Sequence, residues 1–402
     1  MWRLGFFFHE MGFGLLSVFL PLYVVSEALK GSLFDIGIMS AVALFLAIPA
    51  SLFWGYLCDK TKHYKRFILL SFSSSAILLY LFSLTTNVHL LILLYALMSS
   101  LHVAHEPPKN VLIAELYSRA DWEKAFAFYE GFTESGWLIG LVLGFLTSAY
   151  AISPALTLLL CSVLNLVAFG LSLILVADPL LVFERSLVSI EKSTNFACYG
   201  ISLASKLLDG IHVNEKLRRE NVNAFCWGLV LFSLATSILF TPMPIFASQV
   251  VKSAALPSSL VFAVFVLNSA GGVLGYYAAG SRSERQKGKA NIGQIVIFRS
   301  LLSFLLLAIA AILSPTAGTI LLVVILVMMG FANAMFLAYT LSLSMELVPA
   351  GKAGLFNVLI GIGGACGSFV GPFIAAQAAG FIYVFLAAGI AFFIAYVAFK
   401  AF

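Results

Sequence analysis

The sequence predicts an all-α membrane protein with twelve transmembrane helices in two pseudo-symmetric six-helix bundles. Three observations predict it. Of 402 residues, 61% are hydrophobic and 10% charged, where a soluble domain needs about a quarter charged to face water. Apolar runs long enough to cross a bilayer, about 20 residues each, recur twelve times between polar breaks. Finally, a motif of the fourth and fifth runs returns six runs later.

The first run, roughly 2–25, begins at Trp2 and Arg3 and continues past Val25. It is too long for a cleaved leader, and no small-residue cleavage site follows, so it is read as a span. The next five cover roughly 33–57, 66–86, 88–117, 123–150 and 154–177. After a charged interval come 223–250, 258–280, 291–313, 317–347, 350–376 and 379–400. Pro, Gly, Asn and charged residues separate them, as short turns require. Gly and Pro inside a span are tolerated because neighbouring helices satisfy the freed backbone groups. The five cysteines (58, 161, 198, 226, 366) show no paired spacing, so neither a disulfide framework nor a zinc knuckle is indicated.

Orientation follows from the basic residues. With the amino terminus inside, nineteen Lys and Arg fall on one face and only Lys30 and Lys252 on the other. Both termini are therefore expected in the cytoplasm, with the protein in the cell membrane. The net charge of +5 is a topology signal that calls for no nucleic acid.

The domains expected are an N-terminal six-helix bundle (1–177), a cytoplasmic linker (178–222) and a C-terminal six-helix bundle (223–402). The linker mixes Glu184, Arg185, Glu191, Lys192 and further charges. It reads as a solvated connector, with 187–208 able to form an amphipathic surface helix as the alternative.

The repeat is dense. AELY…EKAFAFYEGFTESGWLIGLVLG from Ala114 returns near Met345 as MELV…GKAGLFNVLIGIGGACGSFVG. Lys124-Ala125 aligns with Lys352-Ala353, Phe128 with Phe356, Gly136 with Gly364 and Glu115 with Glu346. Gly5 and Pro21 match Gly228 and Pro244; Gly55-Tyr56 matches Gly275-Tyr276; Met98 and His102 match Met329 and Asn333. Repeats six spans apart share orientation, which places a substrate site near the midplane between halves that rock against each other.

The turn after the second span reads Gly55-Tyr-Leu-Cys-Asp59-Lys60-Thr-Lys62-His-Tyr-Lys65-Arg66. It resembles the loop 2–3 signature of the major facilitator superfamily, with Lys62 where that family usually has glycine and the later basic pair displaced by about two places. The second-half version keeps Gly275, Arg282 and Arg285 but has Ala279 in place of the aspartate. The resemblance spans the whole chain and implies transport by alternating access, with Gly55, Asp59, Lys60, Lys65 and Arg66 as a cytoplasmic gate. A plain topology-setting basic turn is the alternative. Gly136, Gly140 and Gly144, echoed by Gly363, Gly367 and Gly371-Pro372, are similar to the family's packing motif in helices five and eleven. The first copy lacks the proline that marks antiporters there.

Ionisable groups within a span are costly and mark substrate or ion paths. Five are counted: Glu10, Glu106, Lys109, Glu130 and Glu134, accompanied by His9, His102 and His105, every one in the first half. Their repeat partners are read as uncharged: Ser233 for Glu10, Leu337 for Glu106, Thr340 for Lys109, Phe336 for His105, Val358 for Glu130 and Ile362 for Glu134. Positions 102, 105, 106 and 109 share a helical face, as do 130 and 134, and Pro107-Pro108 should kink the helix beside Glu106. Lys109 is expected to pair with Glu106 or Glu130, while Glu134 or Glu10 takes up a proton. Burial favours a neutral carboxyl and a nearby ammonium a charged one, so a carboxylate that alternates between wet and dry states can carry protons. Static interhelical ion pairs, with the histidines as hydrogen-bonded core, are the alternative.

His102-x-x-His105-Glu106 matches neither order of the zinc-protease motifs, and no resident metal or cofactor is expected. A divalent metal as cargo stays open because His9-Glu10 could reach the same cavity. In the second half Trp227, Asn268, Asn333, Tyr339 and Asn357, with many Phe, suit an amphipathic organic molecule. No nucleotide motif appears, and no enzymatic activity is expected. The expectation is a monomeric, proton-coupled secondary transporter of a small organic solute, leaning to efflux of cationic or neutral amphipathic molecules. Nutrient symport, metal transport and a non-transporting sensor are the alternatives.

Overall fold

Inside a bilayer a backbone amide has no partner but its own helix, and each of the twelve spans is helical in the computed structural model. The structure describes residues 1–117, 122–178, 221–281, 285–311, 314–347, 354–377 and 380–402. In chain order the first half holds α1 (Leu4–Val24), α2 (Leu33–Thr61), α3 (Tyr64–Leu84), α4 (Val88–His102), α5 (Glu106–Leu116), α6 (Trp122–Ala149) and α7 (Pro154–Leu175). The second half holds α8 (Val222–Phe240), α9 (Met243–Ser253), α10 (Leu260–Ser281), α11 (Arg285–Ala311), α12 (Pro315–Leu347), α13 (Gly354–Ala375) and α14 (Phe381–Ala401). Among the described residues, twelve stretches are long and apolar enough to cross a membrane. The interval 179–220, including the alternative surface helix at 187–208, lies outside the described residues.

Local chemistry sets the helix ends. Ser32 accepts the Asp35 amide while its own N–H donates to the Asp35 carboxylate, a reciprocal cap that starts α2. Asn87 caps α4, Ser153 caps α7 ahead of Pro154, and Asn221 caps α8. Among the described residues, two spans are broken. The fourth passes through a 3-10 turn at Val103–His105 before restarting as α5, because Pro107 and Pro108 lack the N–H groups a continuous helix would need there. The seventh breaks at Thr241-Pro242, between α8 and α9.

The packing repeats. α1 lies on α6 and α7, and α8 on α13 and α14; α2 lies on α4, and α10 on α12; α3 lies on α7, and α11 on α14. The halves meet where α2 packs on α13 and α6 packs on α10. Glycines set the closest approaches. Gly136 and Gly140 of α6 lie against the carbonyl oxygens of Phe7 and Met11, and Gly363 and Gly367 of α13 lie against those of Val230 and Leu234.

These contacts correct the sequence register. With Gly5 equivalent to Gly228, Phe7 corresponds to Val230 and Met11 to Leu234. Gly136 is therefore the counterpart of Gly363, not Gly364, and Gly140 of Gly367. The one-residue shift places Glu130 opposite Asn357 and Glu134 opposite Gly361, in place of Val358 and Ile362. Identities such as Lys124-Ala125 with Lys352-Ala353 drew the sequence alignment one place too far.

A side chain at Gly140 would collide with the Met11 carbonyl. Gly140→Val is expected to lower stability by about 1–3 kcal/mol through overpacking, read by thermal unfolding in detergent. Gly55→Ala is the control, because a Cβ at Gly55 finds only Pro107 Cγ, at 4.0 Å.

Candidate functional site

The broken fourth span builds the centre of the first half. Lys109, one turn into α5, reaches two carboxylates: Glu106 Oε2 at 2.5 Å on its own helix and Glu130 Oε1 at 3.5 Å on α6. The ammonium also stands 5.4 Å from the ring centre of Tyr129. Lys109 is buried, while Glu106 and Glu130 keep 28% and 29% of their side-chain surface. An ammonium between two half-exposed acids can lend itself to either as the helices shift.

Glu134, one turn along α6 from Glu130, leaves its own half. Its Oε1 accepts a hydrogen bond of 2.6 Å from Ser269 of α10, and Gly272 of the same helix makes room for the carboxylate. The charged groups near it, Glu130 and Glu10, are other acids. Glu10 of α1 lies within electrostatic range of Glu106, Lys109, Glu130 and Glu134. Tyr276 of α10, buried, faces Glu130, Glu134 and Glu10 from the second half.

Behind the carboxylates three imidazoles meet. His9 Nδ1 lies 2.6 Å from Asn165 Oδ1, and His9 Nε2 lies 3.0 Å from His102 Nδ1. His105 Nδ1 lies 2.6 Å from the His102 carbonyl oxygen, and its Nε2 faces Glu106 Oε1 at 3.3 Å. Ser71 donates to the same carbonyl. His9 and His105 are buried, and His102 is partly exposed.

The second half holds a charge that sequence reading missed. Arg299 of α11 is fully buried, donates to Asn333 Oδ1 at 2.5 Å, and packs its guanidinium 4.8 Å from the ring centres of both Phe232 and Phe392. Its Nε and Nη2 find no hydrogen-bond partner among the described residues. The inference that every intramembrane charge belongs to the first half is therefore wrong. Arg299 stands in the middle of the ninth apolar run, which is the signal; assigning basic residues to loops hid it.

Arg299 also marks an equivalence. His9 corresponds to Phe232 through Gly5 and Gly228, and His102 to Asn333 through Met98 and Met329. The guanidinium on Phe232 and Asn333 thus occupies, in the second half, the neighbourhood that the imidazoles occupy in the first.

The remaining sequence candidates disperse. Trp227 is 65% exposed on α8, Tyr339 is buried in the apolar core, and Asn333 is committed to Arg299. Asn268 keeps a buried Oδ1 without a partner among the described residues, and it is the adjacent Ser269 that meets Glu134. The side chain of Asn357 lies outside the described residues. At the turn between α2 and α3, Asp59, Lys60 and Arg66 are exposed, Lys65 is partly exposed, and Lys60 stands 5.9 Å from the Tyr56 ring. Lys62, where a glycine is usual in the resembling motif, adopts φ 58° as it ends α2, the left-handed conformation that favours glycine. The Lys65 amide donates to Asp178 at 2.8 Å, which ties this turn to the end of the sixth span.

The profile of a family described as Major Facilitator Superfamily matches residues 4–359. Two solved structures share the architecture over 100% of this chain. One is a point mutant of the nucleoside transporter NupG, with TM-score 0.74, 16% identity and 98% of that chain covered. The other is nucleoside transporter NupG, with TM-score 0.72, 17% identity and 97% covered. No curated protein sequence matches the chain. At such identities the likeness speaks for the fold alone.

Proposed function

We propose that this chain, which belongs to the major facilitator superfamily, is a proton-coupled secondary transporter of a small neutral or cationic amphipathic solute. A multi-pass membrane transporter follows from the family and the twelve spans; coupling and substrate are the proposal. The observation that carries it is Glu134. It is a first-half carboxylate whose hydrogen bond crosses to the second half, with other acids as the charged groups near it.

A carboxylate held by one hydroxyl at the seam between halves has different partners in different arrangements of those halves. Protonation adds a donor and removes the charge, so it favours whichever arrangement desolvates the group. A ligand shifts a conformational equilibrium by its differential affinity for the two states, and a proton on Glu134 is such a ligand. Lys109 between Glu106 and Glu130 supplies a second adjustable element, since it can strengthen one ion pair as it weakens the other.

Four acids against one lysine make this interface net acidic, which favours a cationic or neutral solute over an anion. Nucleosides belong to the neutral class and join the test panel because of the shared fold with NupG. Placement in the cell membrane as a monomer, both termini cytoplasmic, completes the proposal.

The test is flux in liposomes reconstituted with the full chain. An imposed pH gradient should drive accumulation or release of a panel solute, and dissipating that gradient should stop it. Solute flux indifferent to the gradient defeats proton coupling. Absence of flux across cations, nucleosides, sugars and organic acids defeats the transporter reading and favours a sensor.

A further inference from the structure

We propose that His9, His102 and His105 form a binding site for a transition-metal dication of the zinc class. The proposal is independent of proton-coupled transport. One ring nitrogen from each of the three histidines lies within 4.8 Å of the other two. Tetrahedral coordination with Zn–N of about 2.0–2.1 Å spaces ligand nitrogens about 3.3 Å apart, so small ring rotations close the set.

The hydrogen bonds assign the tautomers. Asn165 Nδ2 donates to the Cys161 carbonyl, which orients its Oδ1 as an acceptor toward His9 Nδ1. His9 Nδ1 therefore carries the hydrogen, and its Nε2 presents a lone pair to His102 Nδ1 at 3.0 Å. His105 Nδ1 faces the His102 carbonyl oxygen and must donate, leaving Nε2 toward the Glu106 carboxylate. Each of these two rings thus has one nitrogen committed to a carbonyl-type oxygen and the other left to bind, the arrangement that orients metal-binding imidazoles.

On the near side one hydrogen lies between two rings: His102 Nδ1 donates it to His9 Nε2 at 3.0 Å. A dication takes its place once that hydrogen moves to His102 Nε2, since an imidazole binds metal through a lone pair. Glu106, 3.3 Å from His105 Nε2, is shared with the Lys109 ammonium at 2.5 Å and offsets part of the added charge.

The second half supports the same conclusion independently. At the equivalent neighbourhood the fold holds a permanent cation, the Arg299 guanidinium, on Phe232 and Asn333. In the first half Ser71 and Phe72 contact the histidines in place of such a cation, and imidazole nitrogens converge instead. This position in the bundle accommodates a positive charge in both copies: one is covalent, the other is a ligand.

The test titrates Co2+ into the purified full chain in detergent. One Co2+ should bind per chain with the intense absorption of four-coordinate geometry, and Zn2+ should displace it. Asn165→Ala should weaken Co2+ affinity by about 10–100-fold, as loss of an orienting partner does; His9→Gln should abolish the four-coordinate spectrum. If either variant fails to fold, X-ray absorption of the Zn2+-loaded wild-type chain decides, with imidazole scattering at about 2.0–2.1 Å expected. Six-coordinate Co2+ only, binding unchanged in both variants, or a zinc shell without imidazole overturns the proposal.

Discussion

Glu134→Gln is expected to abolish proton-driven flux while leaving solute exchange across an equilibrated membrane intact. Gln keeps the volume and can still accept the Ser269 hydrogen bond, so packing at the α6–α10 seam survives. What disappears is the ability to alternate between charged and neutral. A transporter that moves solute without exchanging a proton at this residue loses concentrative transport. Counterflow needs only the rocking of the halves and should persist within about 10-fold of wild type, a cost of about 1.4 kcal/mol. The measurement is paired: pH-driven accumulation and counterflow in the same proteoliposomes. Retention of full accumulation by Glu134→Gln would remove Glu134 as the coupling residue. Loss of both activities with an intact fold would make it a substrate contact.

Lys109→Met is expected to be the most destabilising single change in the site. The ammonium is buried, and its removal leaves Glu106 and Glu130 facing each other without a counterion. Breaking a buried ion pair by deleting one partner costs about 3–5 kcal/mol. Because both acids keep more than a quarter of their surface, water screens part of that, and the expected loss is about 3 kcal/mol at the low end of this range. The deficit should shrink as pH falls, because protons neutralise the abandoned carboxylates and remove their repulsion. Adding Glu106→Gln to Lys109→Met should recover stability, with a coupling of about 1–3 kcal/mol in the double-mutant cycle. Thermal unfolding in detergent at two pH values reads both effects. Independent, additive losses would mean that the short Lys109–Glu106 contact contributes nothing to the fold.

The comparison of Lys109 with Arg299 shows what linear reading catches. Lys109 was legible because two prolines and three other polar residues surround it in an otherwise apolar run. Arg299 is the single charge in the run 291–313, and a census that uses basic residues to orient loops passes over it. Its partners, Phe232, Asn333 and Phe392, come from three other helices. The same holds for Ser269. A serine beside Ala270 and two glycines looks like packing until α10 is laid against α6, and then it is the donor to Glu134. The three histidines follow this pattern too: His102 and His105 are three apart in one stretch of sequence, but His9 meets His102 from α1, and Asn165 meets His9 because α7 lies beside α1.

Span number, the two-fold repeat and family membership were readable from residue order, because lipid imposes its demands locally: every twenty or so apolar residues must satisfy their own backbone. The repeat register was nearly readable, and the one-residue error came from treating identical letters as equivalent positions. Packing decided that Gly136 answers Gly363, since close approach of two backbones depends on which carbonyl a glycine faces. Partners of buried polar groups were likewise settled in three dimensions. A charge in an apolar interior is stabilised by whatever a neighbouring helix presents to it, and the identity of that neighbour is written in no single stretch of the chain.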